Sequence, residues 1–242
     1  MSAFWNRIKR NAPDRSPKQW SWKKWAVVVP AGILVLLILF GILISAYYSI
    51  WAMRIDLDRV SRMPSTSIIY DRNGYVIQRL YDEHRILVSE EDIPEVLEQA
   101  ILAKEDSRFY WHPGVDPLAV FRSIAINIFS GEVQTGASTI TQQLARNSVG
   151  IFDRTIHRKL KEMFLALRIE AAFSKKEILT FYLNRIFFGS NLYGVGAASE
   201  AYFGKHPREL NLEEAAMLAG IVAAPNAFTP WKDPDKTRDV RA

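Results

Sequence analysis

The sequence contains no cysteine, and this absence excludes several kinds of site. A chain without thiols has no disulfide scaffold, no cysteine-ligated zinc or iron–sulfur centre and no thiolate nucleophile. Histidine is also scarce: the four residues are His84, His112, His157 and His206. No two of them lie four positions apart on one predicted helix, so the zinc-hydrolase pattern is absent as well.

Acidic residues are almost missing from the first 25 positions, which carry seven Lys/Arg and one Asp. The net charge of +5 therefore belongs to this segment, and the rest of the chain is close to neutral. A charge excess confined to one end does not indicate a nucleic-acid-binding surface. It predicts a basic tail that faces an anionic surface.

Charge is absent altogether from residues 26–48, a run of mostly aliphatic residues. As a helix this run would be roughly 35 Å long, enough to cross a hydrocarbon core of about 30 Å. Aromatic residues stand at both ends, as they do at membrane interfaces: Trp20, Trp22, Trp25, Tyr47, Tyr48 and Trp51. A cleaved signal peptide would have a shorter apolar run and a small-residue cleavage site. We therefore predict a retained transmembrane anchor, with 1–25 as a cytoplasmic tail and the chain after residue 48 outside the cytoplasm.

The residues beyond the anchor predict a short β-hairpin and then helices. Residues 49–90 are interpreted as a connector holding a hairpin from Thr66 to Ile77, because Asn73-Gly74 lies between two β-rich runs. From residue 91 onward the apolar residues recur at helical spacing, without βαβ units or an internal repeat. The predicted fold class is mainly α.

Several helices can be placed by their patterns. We predict helices over 117–129, over 139–149 with Ser138 as its N-cap, and over 154–173. The regularly spaced apolar residues of the last helix are predicted to form one apolar stripe: Ile156, Leu160, Met163, Phe164, Leu167 and Ala171. Two capping boxes predict further helix starts: Ser174-x-x-Glu177 and Asn211-x-x-Glu214.

Four segments place polar residues densely among apolar ones. They are 105–114, 136–147, 158–162 and 176–184. The first segment has two interpretations. It is either a solvated helix end, or a carboxylate beside aromatic side chains, where burial raises the pKa of the carboxylate and suits it to proton transfer. The residues alone leave both interpretations open. In the second segment an N-cap explains Ser138, whereas Gln142, Gln143 and Arg146 together suit sugar hydroxyls or phosphate oxygens.

The third and fourth segments have ordinary structural interpretations. Glu162 lies within one helical turn of Arg158 and Lys159, which is the pattern of a surface salt-bridge ladder. Asn184 at a helix end is typical of a C-cap. The residues alone therefore do not decide whether these two segments are functional.

Taken in order, the four segments resemble the motifs of the peptidoglycan glycosyltransferases of family 51. Those motifs are ED-x-x-F-x-x-H-x-G, G-x-STITQQ, RK-x-x-E and K-x-x-IL-x-x-YLN. The resemblance covers about residues 90–232, and the lead-in at 67–74 is similar to that of bifunctional class A penicillin-binding proteins. Such proteins carry a transpeptidase domain after the glycosyltransferase. We therefore expect this chain to be an N-terminal part without that domain, in which 91–242 is a glycosyltransferase domain cut short at its C-terminus.

The resemblance implies a lysozyme-like helical domain that polymerises lipid II. The sugar 4-hydroxyl of an acceptor lipid II would attack the anomeric carbon of the growing glycan with inversion, forming a β-1,4 bond and releasing undecaprenyl pyrophosphate. By motif match Glu105 is the general base, and Glu162 is a second catalytic residue. The residues implied in substrate binding are Asp106, Phe109, Arg122, Ser138, Thr141, Gln142, Gln143, Arg146, Arg158, Lys159 and Asn184.

Individual roles follow from the same resemblance. The cations assigned to the leaving pyrophosphate are Arg146, Arg158 and Lys159. Phe109 and Arg122 would shape the donor side, while Asp106 would orient its neighbours. No cofactor is obligatory, although Glu162 could either brace the cations or hold Mg²⁺ or Mn²⁺ against substrate phosphate.

The implied partners are lipid II, the growing glycan, the lipid bilayer and other cell-wall synthesis proteins, with no nucleic acid. The implied location is the bacterial cytoplasmic membrane, crossed once, with the catalytic domain on the outer, periplasmic face. The apolar helix 117–129 is expected to lean on lipid unless its face is simply core. Two other functions stay open: a lysozyme-like peptidoglycan hydrolase, and a non-catalytic anchor that recruits cell-wall proteins.

Overall fold

The computed structural model describes most of the chain, in two compact units, Met1–Tyr47 and Tyr48–Ala242. The described residues are 22–63, 67–80, 83–130, 138–150, 153, 155–226 and 228. Most of the predicted basic tail, Thr66 of the hairpin, Gly136 of the second motif and Arg154 lie outside them.

The first unit is built on one long helix, α1 (Trp22–Met53), whose last turns belong to the second unit. Its stretch Lys24–Met53 has a mean hydropathy of 3.1 in its most apolar window and is long and apolar enough to cross a membrane. No part of that window is buried. An uncharged run of Leu, Ile and Val forms such a helix because its backbone groups bond within the segment.

The second unit begins with α2 (Asp58–Ser61) and a hairpin of β1 (Ser67–Tyr70) and β2 (Val76–Leu80). The two strands pair antiparallel, so the predicted hairpin is confirmed. The carboxylate of Asp71 accepts the backbone N–H groups of Asn73 and Tyr75, at 2.8 Å each. Gly74 follows in the left-handed region, where a residue without Cβ fits best.

The rest of the second unit is mainly helical, which confirms the predicted fold class. A short parallel pair joins β3 (His84–Arg85) to β4 (Leu192–Tyr193). The helices are α3 (Glu95–Glu105), α4 (Pro117–Ser130), α5 (Ile140–Val149), α6 (Ile156–Ala172), α7 (Lys175–Arg185), α8 (Val195–Phe203) and α9 (Leu212–Ala223). Both predicted capping boxes are present, at the starts of α7 and α9.

The N-cap of α5 is Thr139, so the prediction of Ser138 as the cap is wrong by one residue. The hydroxyl of Thr139 accepts the N–H of Gln142, and the Gln142 side chain accepts the N–H of Thr139 in return. Thr139 has extended backbone angles, as an N-cap requires, and this leaves the hydroxyl of Ser138 for another partner.

The predicted apolar stripe of α6 is also wrong. The buried residues of this helix are Glu162, Leu165, Ala166 and Ile169, whereas Ile156 is 82% exposed. A prediction from apolar residues alone leaves out the charged Glu162, which lies on the face of the helix that meets the core. The hydrophobic spacing of the other residues therefore pointed to the wrong side of the helix.

The core lies between α5, α6 and α7, with α3 packed against α9. Its largest fully buried side chains include Leu97, Leu144, Leu165, Tyr182 and Phe188. Helix α4 contributes no buried residue. The alternative that the apolar face of α4 belongs to the core is therefore excluded.

Candidate active site

The first two motifs meet at a cleft of roughly 180 Å³. It is lined by the end of α3, the residues that follow it, one face of α4 and the start of α5. The lining residues are Ala103, Lys104, Glu105, Asp106, Ser107, Arg108, Asp116, Ala119, Arg122, Ser138 and Thr139. Carboxylates, guanidinium groups and hydroxyls therefore face one space, as an acid–base or anion-binding site requires.

Glu105 is the last residue of α3, is half-buried and is held by an amide from α5. Gln143 Nε2 donates to Glu105 Oε2 at 2.8 Å, and the Tyr182 hydroxyl donates to Gln143 Oε1 at 3.4 Å. Burial raises the pKa of Tyr182 well above its usual range, and the charge of Glu105 adds to that effect, so this phenol stays a donor. The chain of donors fixes the orientation of the Glu105 carboxylate at the cleft.

Asp106 is buried and joins the first motif to the second. His112 Nδ1 accepts the N–H of Gly114, so the proton of this ring is on Nε2, which donates to Asp106 at 3.0 Å. The same carboxylate accepts the N–H of Ile140, in the first turn of α5, at 3.1 Å. These contacts hold the His112 ring and the start of α5 in place.

Gly114 allows the two motifs to approach α6 closely. Its φ is +89°, and a Cβ there would lie 2.8 Å from Cγ of Glu170 and 3.0 Å from the carbonyl oxygen of Ala166. The Thr139 hydroxyl donates to the carbonyl of Gly114 at 2.6 Å. A side chain at position 114 would therefore push the turn that holds His112 and Gly114 away from α6.

The third motif forms a partly buried cluster of charges. Lys159 Nζ donates to Ser138 Oγ at 2.7 Å and to Gln142 Oε1 at 2.9 Å, and it lies 3.5 Å from Glu162 Oε2. Arg158 Nε lies 3.4 Å from Glu162 Oε1. Burial lowers the pKa of Lys159, although the charge of Glu162 opposes that shift. Because Glu162 is only 1% exposed, the interpretation of this segment as a surface salt-bridge ladder is wrong.

Three buried polar atoms of this cluster have no hydrogen-bond partner in the described part of the chain. They are Gln142 Nε2, Arg158 Nε and Glu162 Oε1. Arg158 Nε and Glu162 Oε1 face each other as an ion pair at 3.4 Å, so Gln142 Nε2 is the atom of the three whose burial calls for water or a polar ligand. These atoms belong to the second and third motifs.

Three predicted substrate-binding residues lie away from the cleft. Phe109 is 1% exposed and packs in the core, and the buried hydroxyl of Thr141 donates to Glu170 Oε1 at 2.6 Å. Asn184 is not the C-cap of α7. Its side chain accepts the N–H of Val88 at 2.9 Å and donates to the carbonyl of Val88 at 2.8 Å. The structure brings together Glu105, Asp106, Arg122 and Ser138 at the cleft, with Gln142, Gln143, Lys159, Arg158 and Glu162 behind it.

Two cleft residues were not predicted from the sequence, Arg108 and Asp116, which pair with 2.7 Å between Nη2 and Oδ2. Burial alone would raise the pKa of Asp116, but the N–H of Ala119 and the charge of Arg108 outweigh it and lower that pKa. Arg108 occupies an unspecified position of the first motif, so the motif gave no signal for it.

Lys175 was missed for a different reason. The spacing K-x-x-IL places the motif lysine at Lys175, one residue before the segment singled out in the sequence. Lys175 Nζ donates to Glu170 Oε1 at 2.8 Å and to the carbonyl of His112 at 2.7 Å, and it lies 4.3 Å from the centroid of the Phe109 ring. The exposed Lys176 pairs only with Glu90 among the described residues. The motif spacing would have identified Lys175.

The described residues do not form a metal site around Glu162. Its oxygens face two cations, and it belongs to no cluster of three metal-ligating side chains in the described ranges. The one such cluster there is Asp106, His112 and Asp116, whose ligand atoms lie within 4.8 Å of one another. Those groups already bond to one another, to the N–H of Ile140 and to Arg108.

Comparison with known proteins identifies the family. The family model described as Transglycosylase matches residues 73–242. Penicillin-binding protein 1A of Escherichia coli (strain K12) is 48% identical over 168 residues, which cover 69% of this chain and 20% of that protein. Penicillin-binding protein 1A/1B of Bacillus subtilis (strain 168) is 38% identical over 243 residues, 97% of this chain and 26% of that protein. The crystal structure of Penicillin-Binding Protein 1A from Haemophilus influenzae matches with a TM-score of 0.39 and 24% identity, over 74% of this chain and 17% of that one.

The chain thus spans a fifth to about a quarter of the length of these curated relatives. The family model covers more than half of the chain and includes all four motifs. The chain therefore belongs to the transglycosylase family, the peptidoglycan glycosyltransferases of class A penicillin-binding proteins.

Proposed function

We propose that this chain polymerises lipid II into β-1,4-linked glycan and releases undecaprenyl pyrophosphate. The observation that carries the proposal is the oriented carboxylate of Glu105 at a cleft whose other wall, α5, also contacts Lys159. An attacking hydroxyl needs a base on one side and a leaving pyrophosphate needs positive charge on the other. Helix α5 connects the two, because Gln143 holds Glu105 and Gln142 holds Lys159.

In the proposed reaction Glu105 takes the proton of the acceptor 4-hydroxyl. The oxygen of that hydroxyl attacks the anomeric carbon of the donor at the same time. The bond from that carbon to the pyrophosphate oxygen breaks in the same step, so the configuration inverts. Inverting glycosidases use a carboxylate in the same way on water. Gln143 and Asp106 are positioning residues here, since they act through Glu105 and the start of α5.

The leaving pyrophosphate would be stabilised by Arg158 and Lys159, with Arg146 nearby on α5. Glu162 braces the first two, with its oxygens 3.4 Å and 3.5 Å from their nitrogens. Preorganised charge of this kind stabilises a transition state without reorganisation during the reaction. We propose that Glu162 acts as this brace. A metal, if one takes part, would come with the substrate phosphates, since hard divalent ions need several oxygen ligands.

The membrane arrangement belongs to the same proposal. We propose a cytoplasmic tail at 1–25, a transmembrane anchor at 26–48, a connector with the hairpin at 49–90 and a glycosyltransferase domain from 91, on the outer face of the bacterial cytoplasmic membrane. Both substrates carry long lipid tails, so the active site must lie within reach of the bilayer. The exposed apolar side chains of α4 support this arrangement.

Incubation of the purified full chain with lipid II in detergent tests the proposal. We expect glycan strands together with undecaprenyl pyrophosphate. A parallel incubation with preformed glycan serves as the control, because a lysozyme-like hydrolase would shorten it and leave lipid II intact. No change to either substrate, in a folded protein, would indicate a non-catalytic anchor and contradict the proposal.

A further inference from the structure

Helix α6 carries a second stripe of residues, His157, Lys161, Phe164 and Arg168, which we call the rear stripe. Their spacing of i, i+4, i+7 and i+11 places them along one face of the helix. None of the four lines the cleft. This face instead contacts residues 48–55, which include the last turns of α1.

Tyr48 makes two of these contacts. Its hydroxyl is hydrogen-bonded to Nδ1 of His157 at 2.6 Å, and its ring stacks on Phe164 with centroids 5.7 Å apart and an angle of 22° between the planes. Tyr48 is only 7% exposed as a result. The sequence assigned this tyrosine to an aromatic belt at the membrane interface, and in the structure its ring and hydroxyl face α6.

Two cations complete the rear contact. Lys161 Nζ lies 5.1 Å from the centroid of the Trp51 ring. Arg168 Nη1 donates to the carbonyls of Ala52 and Ile55. The Ala52 carbonyl also accepts the N–H of Ile55 at 3.1 Å, so this guanidinium adds a second donor at the end of α1 and ties Ile55 to it. Residues 48–55 are therefore joined to α6 by a hydrogen bond, a ring stack, a cation–π contact and the guanidinium of Arg168.

The neighbouring face of α6 carries the charges of the proposed site. Arg158 and Glu162 each follow a member of the rear stripe by one residue, which turns them about 100° around the helix axis. A helix moves as one body within a packed unit, so a rotation about its axis displaces both faces together. The rear contact therefore acts together with the core packing of Leu165 and Ile169 to hold Arg158 and Glu162 where they lie.

We propose that Tyr48 and Arg168 are positioning residues for turnover, acting through α6 on Arg158 and Glu162. Their contacts fix the rotation of α6 that presents positive charge to the leaving pyrophosphate. This inference rests on the proposed function. It gives residues 48–55 a role in the reaction in addition to joining the anchor to the outer unit.

The test uses the full chain and measures kcat and KM for lipid II separately. Tyr48→Phe removes one hydroxyl and keeps the ring stack, and Arg168→Lys keeps the charge without the geometry that holds two carbonyls. We expect kcat to fall about three- to tenfold in each, the factor that corresponds to one hydrogen bond, with KM within about twofold of wild type. Tyr47→Phe is the matched control, because Tyr47 is the preceding residue and is 59% exposed. It should match the wild type.

Unchanged kcat in both variants would overturn the inference. So would a fall in kcat that appears only above the temperature at which the variant starts to unfold, or a rise in KM alone. If the wild type makes no glycan, the proposed function fails. If the wild type polymerises lipid II and Tyr48→Phe equals it, only the positioning role fails.

Discussion

Gln143 is the residue on which the orientation of Glu105 depends. One end of its amide donates to Glu105 Oε2 and the other accepts from Tyr182, so the side chain cannot turn without losing both bonds. A hydrogen bond to a charged group contributes about 1.5–3 kcal/mol. A carboxylate that loses this partner would sample other rotamers, and proton transfer needs a fixed geometry.

Gln143→Met should therefore lower kcat for lipid II polymerisation by roughly tenfold or more, with a smaller effect on KM. Methionine has a similar size and no amide. Steady-state kinetics with purified lipid II is the measurement, and Gln99→Met is the control, because the Gln99 amide bonds to Glu95 on the exposed side of α3. Equal kcat values for Gln143→Met and wild type would show that Gln143 does not orient the base.

Glu162→Gln should lower turnover at least tenfold without changing the response to Mg²⁺ or Mn²⁺. The variant keeps the shape of the side chain and removes the charge that holds Arg158 and Lys159 in place. Calorimetry with Mn²⁺ on the substrate-free wild type should show no tight site, and Glu213→Gln, on the exposed face of α9, should behave as wild type. A metal stimulation that the wild type shows and Glu162→Gln loses would mean that Glu162 holds the ion.

At the scale of elements, the sequence predicted the features that depend on neighbouring residues, such as turns and helix caps. It did not predict the features that depend on contacts between distant residues. The hairpin turn at Asn73-Gly74 and the boxes at Ser174 and Asn211 depend on residues within a few positions of one another. Such contacts form from the sequence pattern itself. The fold class was predictable for the same reason.

Placement of Glu162 and Asn184 depends on contacts that no local pattern encodes. Glu162 faces the core because Lys159 and Arg158 accompany it there, and Asn184 is buried because Val88, nearly a hundred positions away, offers it a donor and an acceptor. Both residues belong to the family motifs, and their roles in the reaction stay predictions. The motifs could not show that the Asn184 side chain bonds to the backbone of Val88, whereas Glu105 lines the cleft.

The start of α5 provides a prediction that separates two adjacent residues. Thr139→Ala should lower the free energy of unfolding by about 2 kcal/mol, because it removes both the helix cap and the hydrogen bond to Gly114. Ser138→Ala should cost less, about 1 kcal/mol, since Ser138 caps nothing and loses only the hydrogen bond that it accepts from Lys159, which Gln142 and Glu162 also contact. Chemical denaturation of both variants is the measurement. A larger loss in Ser138→Ala would mean that Ser138 is the N-cap after all.

At the scale of the whole molecule, two apolar surfaces require an explanation. Helix α1 exposes its aliphatic side chains, and α4 exposes Leu118 by 66%, Phe121 by 73%, Ile128 by 73% and Phe129 by 91%. Single exposed apolar residues are ordinary on a protein surface, but several on one helix mark a contact with another molecule or a membrane. Because the proposed substrates are lipid-linked, we propose a bilayer as the partner of α4.

A fragment comprising residues 48–242, which keeps the rear contact, should therefore still bind liposomes. Replacing Phe121 and Phe129 together by serine should abolish that binding, because these side chains supply much of the exposed apolar area of α4. Co-sedimentation is the measurement. The matched control replaces Tyr75 and Ile77 together by serine, because these two apolar side chains of the hairpin are similarly exposed, by 73% and 65%. Loss of binding in the control but not in the α4 variant would assign membrane contact to the hairpin instead.

The central claim is that Glu105 is the base of a lipid II polymerase. The most direct measurement compares glycan synthesis from lipid II by wild type and Glu105→Gln at equal concentration, with lipid II binding and thermal unfolding recorded for both. We expect the variant to fold and bind lipid II as the wild type does and to polymerise it about 10²–10⁴-fold more slowly. Polymerisation by Glu105→Gln near the wild-type rate would contradict the central claim and make Glu105 a structural carboxylate.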